Sequence, residues 1–328
     1  MQKILIISKK SLGDLILQMG VIQALKDKHP ATQISIACDE RNVTALRKHP
    51  DIADVLPLVL KDGQAKGFFT VLGQIRRHKF DVILTFGRDS QACAWGFLAR
   101  IPIRVGARNQ PLSFLLTRKV REHASEENSF EFYHKLAQLV SPQVEVQFPT
   151  ITIDKRETAR LRADLFKQRL GRKFIIWHVG ASIEEKRYPV FQIIETLRLF
   201  KKKRVLLPVL FAAGPGDEKF IAELEEAVNN SEIKTPKVFF ADGIEFSATA
   251  ALFSLAHLVV CNDAAPRHIA AAIGKKSLTL MPSHRRHSWQ VYGEQQKAYF
   301  LFSDVTIESR AVDTVEPIEV AGMIRKLT

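Results

Sequence analysis

Short, continuously apolar runs alternate with helical patterns along almost the whole chain, and this alternation restricts the fold more than any other feature. Residues 3–8 (Lys-Ile-Leu-Ile-Ile-Ser) form the first run, as a parallel strand buried on both faces requires. Leu15, Ile16, Met19, Ile22 and Leu25 follow at helical spacing. Further strands are expected at 33–38 and 81–85, with helical patterns near 40–48, 64–78 and 89–99. Pro142 and Pro149 bracket a polar, extended stretch, 141–150, which reads as a linker. A charged helix is expected near 154–169. The alternation then resumes, with strands at 173–178, 209–213, 237–240, 258–261 and 277–280 and helices near 190–201, 217–229, 247–256 and 266–273. Pro208 marks a strand start, because proline cannot donate inside a central ladder. Residues 314–327 read as a closing helix. Units of this βαβ kind build doubly wound parallel sheets, which take ligands at the carboxyl ends of their strands. The expected fold class is α/β: two doubly wound Rossmann-like domains facing across a cleft, 1–150 and 151–312, with a closing helix at 313–328.

Length agrees, since 328 residues suit two cores of about 150 residues each better than one. Charge is the unusual quantity. The chain carries 48 basic and 35 acidic residues, a net +13. Such a field favours polyanions: nucleic acid, an anionic membrane or a phosphorylated glycolipid. The excess gathers at 76–121, where Arg76, Arg77, Lys79, Arg88, Arg100, Arg104, Arg108, Arg118, Lys119 and Arg121 meet only Asp81 and Asp89. No recognition-helix, zinc-finger or RNP pattern accompanies this run, and aromatics are not interleaved with it, so nucleic acid is not an expected partner. Cys38, Cys93 and Cys261 are odd in number and far apart. They suggest neither a disulfide framework nor a metal site, and a reducing cytosol fits them. The first residues run directly into a strand pattern, so no secretory leader is expected. No apolar run reaches the roughly 18 residues of a spanning helix, so any membrane contact would be peripheral.

Four strand-to-helix turns carry the chemistry. Ser11-Leu12-Gly13-Asp14 follows the first strand. Asp14 reads either as a helix cap or as a general base. His178-Val179-Gly180-Ala181-Ser182 leads to Lys186-Arg187-Tyr188-Pro189, where Ser182, the turn amides and Lys186 make an anion site. Gly214-Pro215-Gly216-Asp217-Glu218 offers an acid for ribose hydroxyls, or a capped tight turn. Asn262-Asp263-Ala264-Ala265-Pro266-Arg267-His268 places proline in a helix's first turn, with the Ala264 and Ala265 amides directed toward a diphosphate. Asp263 could hold a sugar hydroxyl there, and Arg267 and His268 could neutralise a leaving group.

Each turn alone is a weak signal, but their order and spacing are specific. From end to end the chain resembles the ADP-heptose:lipopolysaccharide heptosyltransferase family, glycosyltransferase family 9. The family's opening strand and Gly-Asp are similar to Gly13-Asp14. Its middle His-x-Gly-Ala-Ser…Lys-Arg-Trp-Pro is similar to His178–Ser182 and Lys186–Pro189. Its late Asn-Asp-Ser-Gly-Pro-x-His-x-Ala-Ala-Ala-x-Gly is similar to the run Asn262 to Gly274.

The resemblance implies a GT-B fold and an inverting, metal-independent sugar transfer, with no cofactor and an ADP-sugar as co-substrate. It implies that Asp14 is the catalytic base. Ser182, Lys186, Ala264 and Ala265 would hold the donor diphosphate, Asp263 the transferred sugar and Glu218 the ribose. The first domain would bind an anionic inner-core glycolipid, with Ser11, Gly13, Arg104, Arg108 and Arg118 as candidates. The enzyme would work at the cytoplasmic face of the inner membrane, in peripheral contact with anionic lipid.

Three departures stand out: Ala264-Ala265 replaces a hydroxyl–glycine pair, Arg267 replaces an apolar residue, and Gly20 stands where the family often has proline. Alanine resists a positive φ angle, so a turn needing one would bind donor weakly. Another nucleotide sugar, an epimerase-type activity, or a non-catalytic relative with a polyanion-binding surface are the alternatives.

Overall fold

Each continuous apolar run becomes a parallel strand, and all but the edge strand at Val238–Ala241 are buried on both faces. The computed structural model describes residues 2–47, 49–121, 129–181, 183–233, 236–241, 246–283, 297–303 and 312–328, with the backbone alone at 129 and 247. The chain divides into two compact units, Met1–Thr150 and Ile151–Thr328.

The first unit is built from β1 (Lys3–Ser8), α1 (Leu12–Lys28), β2 (Gln33–Asp39), α2 (Val43–Leu46) and β3 (Asp54–Leu58). A small hairpin, β4 (Leu60–Lys61) and β5 (Gln64–Ala65), precedes α3 (Phe68–His78). Then come β6 (Val82–Thr85), α4 (Ser90–Leu98), β7 (Ile103–Ala107), β8 (Arg118–Val120) and α5 (Ser129–Val140). The sheet is parallel, in the order β3-β2-β1-β6-β7-β8. Alternation along β1 sends Leu5 and Ile7 into one core with Val71 and Ile75 of α3 and Trp95 of α4. Ile4 and Ile6 are buried on the opposite face.

The polar stretch 141–150 is not a free linker. Gln23 of α1 donates to the Thr150 carbonyl (2.7 Å) and accepts from its amide (3.1 Å). The Gln147 carbonyl lies so close to α1 that a Cβ at Gly20 would meet it at 2.5 Å. Glycine at position 20 is therefore a packing requirement of this chain.

The second unit runs α6 (Lys155–Lys167), β9 (Ile175–His178), α7 (Val190–Lys203), β10 (Val209–Ala212), α8 (Glu218–Asn230), β11 (Val238–Ala241) and α9 (Phe246–Leu255). It continues with β12 (Leu258–Asn262), α10 (Ala265–Ala272), β13 (Ser277–Met281), β14 (Ala298–Phe302) and α11 (Pro317–Leu327). Its sheet is also parallel, ordered β11-β10-β9-β12-β13-β14. Val320, Ala321, Ile324 and Leu327 of α11 join one core with Ile193 and Leu197 of α7 and Trp177 of β9.

Several elements differ from the sequence expectation. The pattern at 64–78 splits into a hairpin strand and a helix, because Gly67 takes a left-handed φ of 68° and starts α3 there. The pattern at 40–48 yields a 3₁₀ turn at Glu40–Asn42 and the single turn of α2. The strands β3, β7, β8 and β14 and the helix α5 come in addition to the elements read from the pattern.

Candidate active site

In both sheets the chain winds outward from the first strand, then returns to that strand's other side. The order therefore reverses between β1 and β6 in the first unit, and between β9 and β12 in the second. Open α/β sheets bind ligands outside the carboxyl ends of the strands at such switch points. The turns after β1, β9 and β12 are three of the four turns singled out in the sequence.

In the second unit Asn262, at the end of β12, fastens two of these turns together. Its Nδ2 donates to the Val179 carbonyl (2.9 Å), and its Oδ1 accepts the Tyr188 amide (3.2 Å). Tyr188 in turn donates its hydroxyl to the Val315 carbonyl (2.8 Å), ahead of α11. This frame brings Lys186 to Asp263. Lys186 Nζ stands 3.1 Å from Asp263 Oδ2 and donates to the Asp263 carbonyl at 3.4 Å. Arg267 Nε stands 3.0 Å from Asp263 Oδ1. Asp263 is 4% exposed and Arg267 2%, so the carboxylate is buried between two cations. Among the described residues, two positive charges around one negative leave an excess of one, at the amino end of α10. The helix dipole adds to it there.

The alanine pair causes no backbone strain. Ala264 is extended, at φ −145°, and Ala265 is the first helical residue; neither adopts a positive φ. The two amides differ, however. That of Ala264 donates to the Asn262 carbonyl (2.8 Å), whereas an amide at a first helical position has no acceptor inside its helix. Of the two, only the Ala265 amide has no acceptor among the described residues.

His268 corrects another expectation. It is buried, and desolvation, reinforced by the neighbouring Arg267 cation, holds its pKa well below the ordinary value. A shift in this direction makes His268 a poorer source of positive charge for a leaving group. His178, at the end of β9, behaves alike, with burial pushing its pKa down to about 4.

Asp217 does not cap α8. Its carboxylate pairs with Arg187, which also donates to the Ala181 carbonyl (2.7 Å) and lies over the Phe220 ring. Burial raises the Asp217 pKa while Arg187 opposes the rise. A Cβ at Gly180 would collide with this carboxylate, so the turn after β9 requires glycine. Glu218 is exposed and accepts the Gly216 amide (2.9 Å), a bond that lowers its pKa; it closes its own turn. Ser182 lies outside the described residues.

In the first unit Ser11 occupies the N-cap position of α1, and Gly13 and Asp14 lie in the first turn. Asp14 is half-buried and is not spent on capping. Its Oδ2 accepts the Ser11 hydroxyl (2.8 Å), and its Oδ1 the Tyr133 hydroxyl of α5 at a long 3.5 Å. Gln18, one turn further along α1, donates to Tyr133 Oη (3.3 Å). Neither Gln18 nor Tyr133 was marked by a motif. The i, i+4 spacing of Asp14 and Gln18 was the available signal, since it puts both on one helix face.

The three arginines proposed for an acceptor separate. Arg104 donates to the Leu115 and Ile101 carbonyls (both 2.6 Å), and Arg118 to the Leu139 carbonyl at the end of α5 (2.7 Å). Both hold backbone in place. Arg108, just after β7, is exposed and has no side-chain partner among the described residues. Among the described residues no three His, Cys, Asp or Glu side chains group as metal ligands. No helix among them is long and apolar enough to cross a membrane.

Comparison with known proteins agrees with this geometry. The chain is 25% identical over 299 residues to lipopolysaccharide heptosyltransferase 1 of Campylobacter coli, covering 86% of this chain and 85% of the relative. Its fold matches a family 9 glycosyl transferase from Veillonella parvula, with a TM-score of 0.82 at 17% identity, over 99% of this chain and 97% of the other. It also matches the ADP-heptose LPS heptosyltransferase II of E. coli, with a TM-score of 0.78 at 19% identity, over 99% and 98% of the two chains. These likenesses identify the architecture as GT-B. Residues 69–318 match the profile of glycosyltransferase family 9 (heptosyltransferase), and the chain belongs to that family.

Proposed function

We propose that this glycosyltransferase moves heptose from ADP-heptose to an anionic inner-core lipopolysaccharide acceptor, by a single in-line displacement that inverts the anomeric centre and needs no metal. The observation that carries the reading is the Lys186–Asp263–Arg267 cluster at the amino end of α10. Its excess positive charge, the helix dipole and the Ala265 amide suit a diphosphate, and they suit best the charge that grows on it as it leaves. Donor identity draws support from the relatives, which are named for lipopolysaccharide and for ADP-heptose.

In the proposed step an acceptor hydroxyl attacks the anomeric carbon while its proton passes to Asp14. The new oxygen–carbon bond forms as the carbon–oxygen bond to the diphosphate breaks, and the electron pair leaves with ADP. General-base assistance of this kind contributes about 10²–10⁴-fold. The Asp14 carboxylate accepts from two neighbouring hydroxyls and forms no ion pair among the described residues, which leaves it free to approach an acceptor hydroxyl. The first unit would take the acceptor, with Ser11 and Arg108 as the contacts the geometry favours over Arg104 and Arg118. A glycolipid acceptor places the work at a membrane surface, the cytoplasmic face of the inner membrane.

The test is transfer from ADP-heptose to heptose-less lipopolysaccharide, with UDP- and GDP-sugars as competitors and the linkage read by NMR. Inverted product from the ADP-sugar alone supports the proposal. Retained configuration, or transfer from another nucleotide, overturns it.

A further inference from the structure

The apolar side chains of α3, α4 and the loop before β8 are not all buried. Phe69 is 80% exposed, Phe114 74% and Phe97 51%. They belong to one outer layer of the first unit. Trp95 of α4 donates its indole N–H to the Phe68 carbonyl (3.1 Å) and stacks on the Phe68 ring, which meets Phe69 edge-on. Arg76 of α3 reaches the Leu98 carbonyl at the end of α4 (2.9 Å). Arg104 lies over Phe97 and holds the Leu115 carbonyl, next to Phe114. A chain of contacts thus links Phe69 to Phe114.

The same layer is basic. Arg76 shares a helix face with Phe69, seven residues on. Arg100 is exposed just beyond α4, and Lys119 reaches the Ser113 carbonyl beside Phe114 (3.4 Å). The acids of residues 66–121 do not oppose this charge. Asp81 accepts the Lys3 amide (2.7 Å), and Asp89 is paired with the largely buried Lys9 (2.9 Å). Exposed phenylalanines with exposed arginine and lysine beside them suit a bilayer interface: rings enter the headgroup–acyl boundary while the cations meet lipid phosphates. A protein partner for a patch of this composition would be expected to bring acids; an anionic bilayer supplies both chemistries at once.

We infer that this layer is a membrane-docking surface for anionic phospholipid, with Phe69, Phe97 and Phe114 inserted and Arg76, Arg100 and Lys119 at the headgroups. The inference rests on the glycolipid reading for its purpose but not for its test. The full chain is floated with vesicles of phosphatidylglycerol and phosphatidylethanolamine in equal parts, and with phosphatidylcholine alone. Binding is expected to the anionic vesicles only and to weaken at high salt. A Phe69→Ser/Phe114→Ser variant should lose about tenfold in partitioning or more. Arg100→Glu/Lys119→Glu should lose at least as much, at roughly fivefold per basic residue removed. Phe69→Trp/Phe114→Trp should retain binding, which separates insertion from misfolding. Undiminished binding by the serine variant overturns the inference, as does equal binding to phosphatidylcholine. Light scattering that shows the variant dissociating a dimer, with lipid binding intact, overturns it too. ADP titration of the same preparations keeps the two readings apart. Nucleotide binding without vesicle binding removes the surface alone; vesicle binding without nucleotide binding removes the donor reading alone.

Discussion

Two aspartates stand beside helix amino ends at the switch points of two similar sheets: Asp14 after β1, the inner strand before the reversal, and Asp263 after β12, the strand across the reversal from β9. Asp14 is half-buried, held among the described residues by the hydroxyls of Ser11 and Tyr133. Asp263 is buried and clamped between Lys186 and Arg267. The difference teaches that topology fixes where an acid sits, while its neighbours fix what it can do. A carboxylate without cations can accept a proton. One held by two cations organises their charge.

The largest way to break this comparison is to delete the clamped acid. Asp263→Ala removes the carboxylate that Lys186 and Arg267 share, and loss of one partner of a buried pair costs about 3–5 kcal/mol. Denaturant unfolding of this variant beside Asp14→Ala measures it. The Asp14 change should stay within about 1 kcal/mol, since it removes only partly exposed hydrogen bonds.

Acid should also distinguish the second unit. Unfolded His178 takes a proton near its ordinary 6.5, whereas the folded residue resists until about 4. The unfolded state therefore binds more protons across that window, and stability falls as pH drops from 6.5 to 4, by about 3 kcal/mol from this residue. His268 acts in the same direction. Stability measured against pH should be flatter in His178→Phe than in the unaltered chain; parallel curves would remove His178 from the account.

A smaller effect sharpens the first site. Tyr133→Phe removes one hydroxyl donor to Asp14, and a hydrogen bond of this class is worth about 0.5–1.5 kcal/mol, or roughly two- to tenfold in kcat. Steady-state kinetics should show that loss with ADP affinity unchanged. The smallest effect expected is Ala264→Gly. Because Ala264 is extended, glycine relieves no strain and adds only flexibility, costing at most about 1 kcal/mol in a thermal melt.

Much of this was legible in the sequence where burial is complete. β1, β9 and β12 are continuous apolar runs because helices cover both faces, and the turns after them carried the motifs. The elements that escaped are those whose pattern is interrupted. β3 contains Pro57, which an edge strand tolerates. β8 is three residues long, Arg-Lys-Val, and mostly exposed at the other edge. Arg104 interrupts β7 because its guanidinium serves backbone carbonyls. In the site, the motifs marked Lys186, Asp263 and Arg267 but not their mutual pairing, which depends on how Asn262 draws the β9 and β12 turns together. Pro142 and Pro149 suggested a linker, but the hydrogen bonds that fasten 141–150 to α1 come from Gln23, well over a hundred residues away. No local pattern contains such a partner.

The central claim is that chemistry resides at Asp14 and donor charge at the Asp263 cluster. Calorimetric titration with ADP, run on Asp14→Asn and Lys186→Ala beside a transfer assay, tests it most directly. The account predicts that Asp14→Asn binds ADP as the unaltered chain does but loses about 10²–10⁴-fold in transfer. It predicts that Lys186→Ala loses ADP binding by roughly tenfold or more. Undiminished ADP binding by Lys186→Ala, or full transfer by Asp14→Asn, would contradict it.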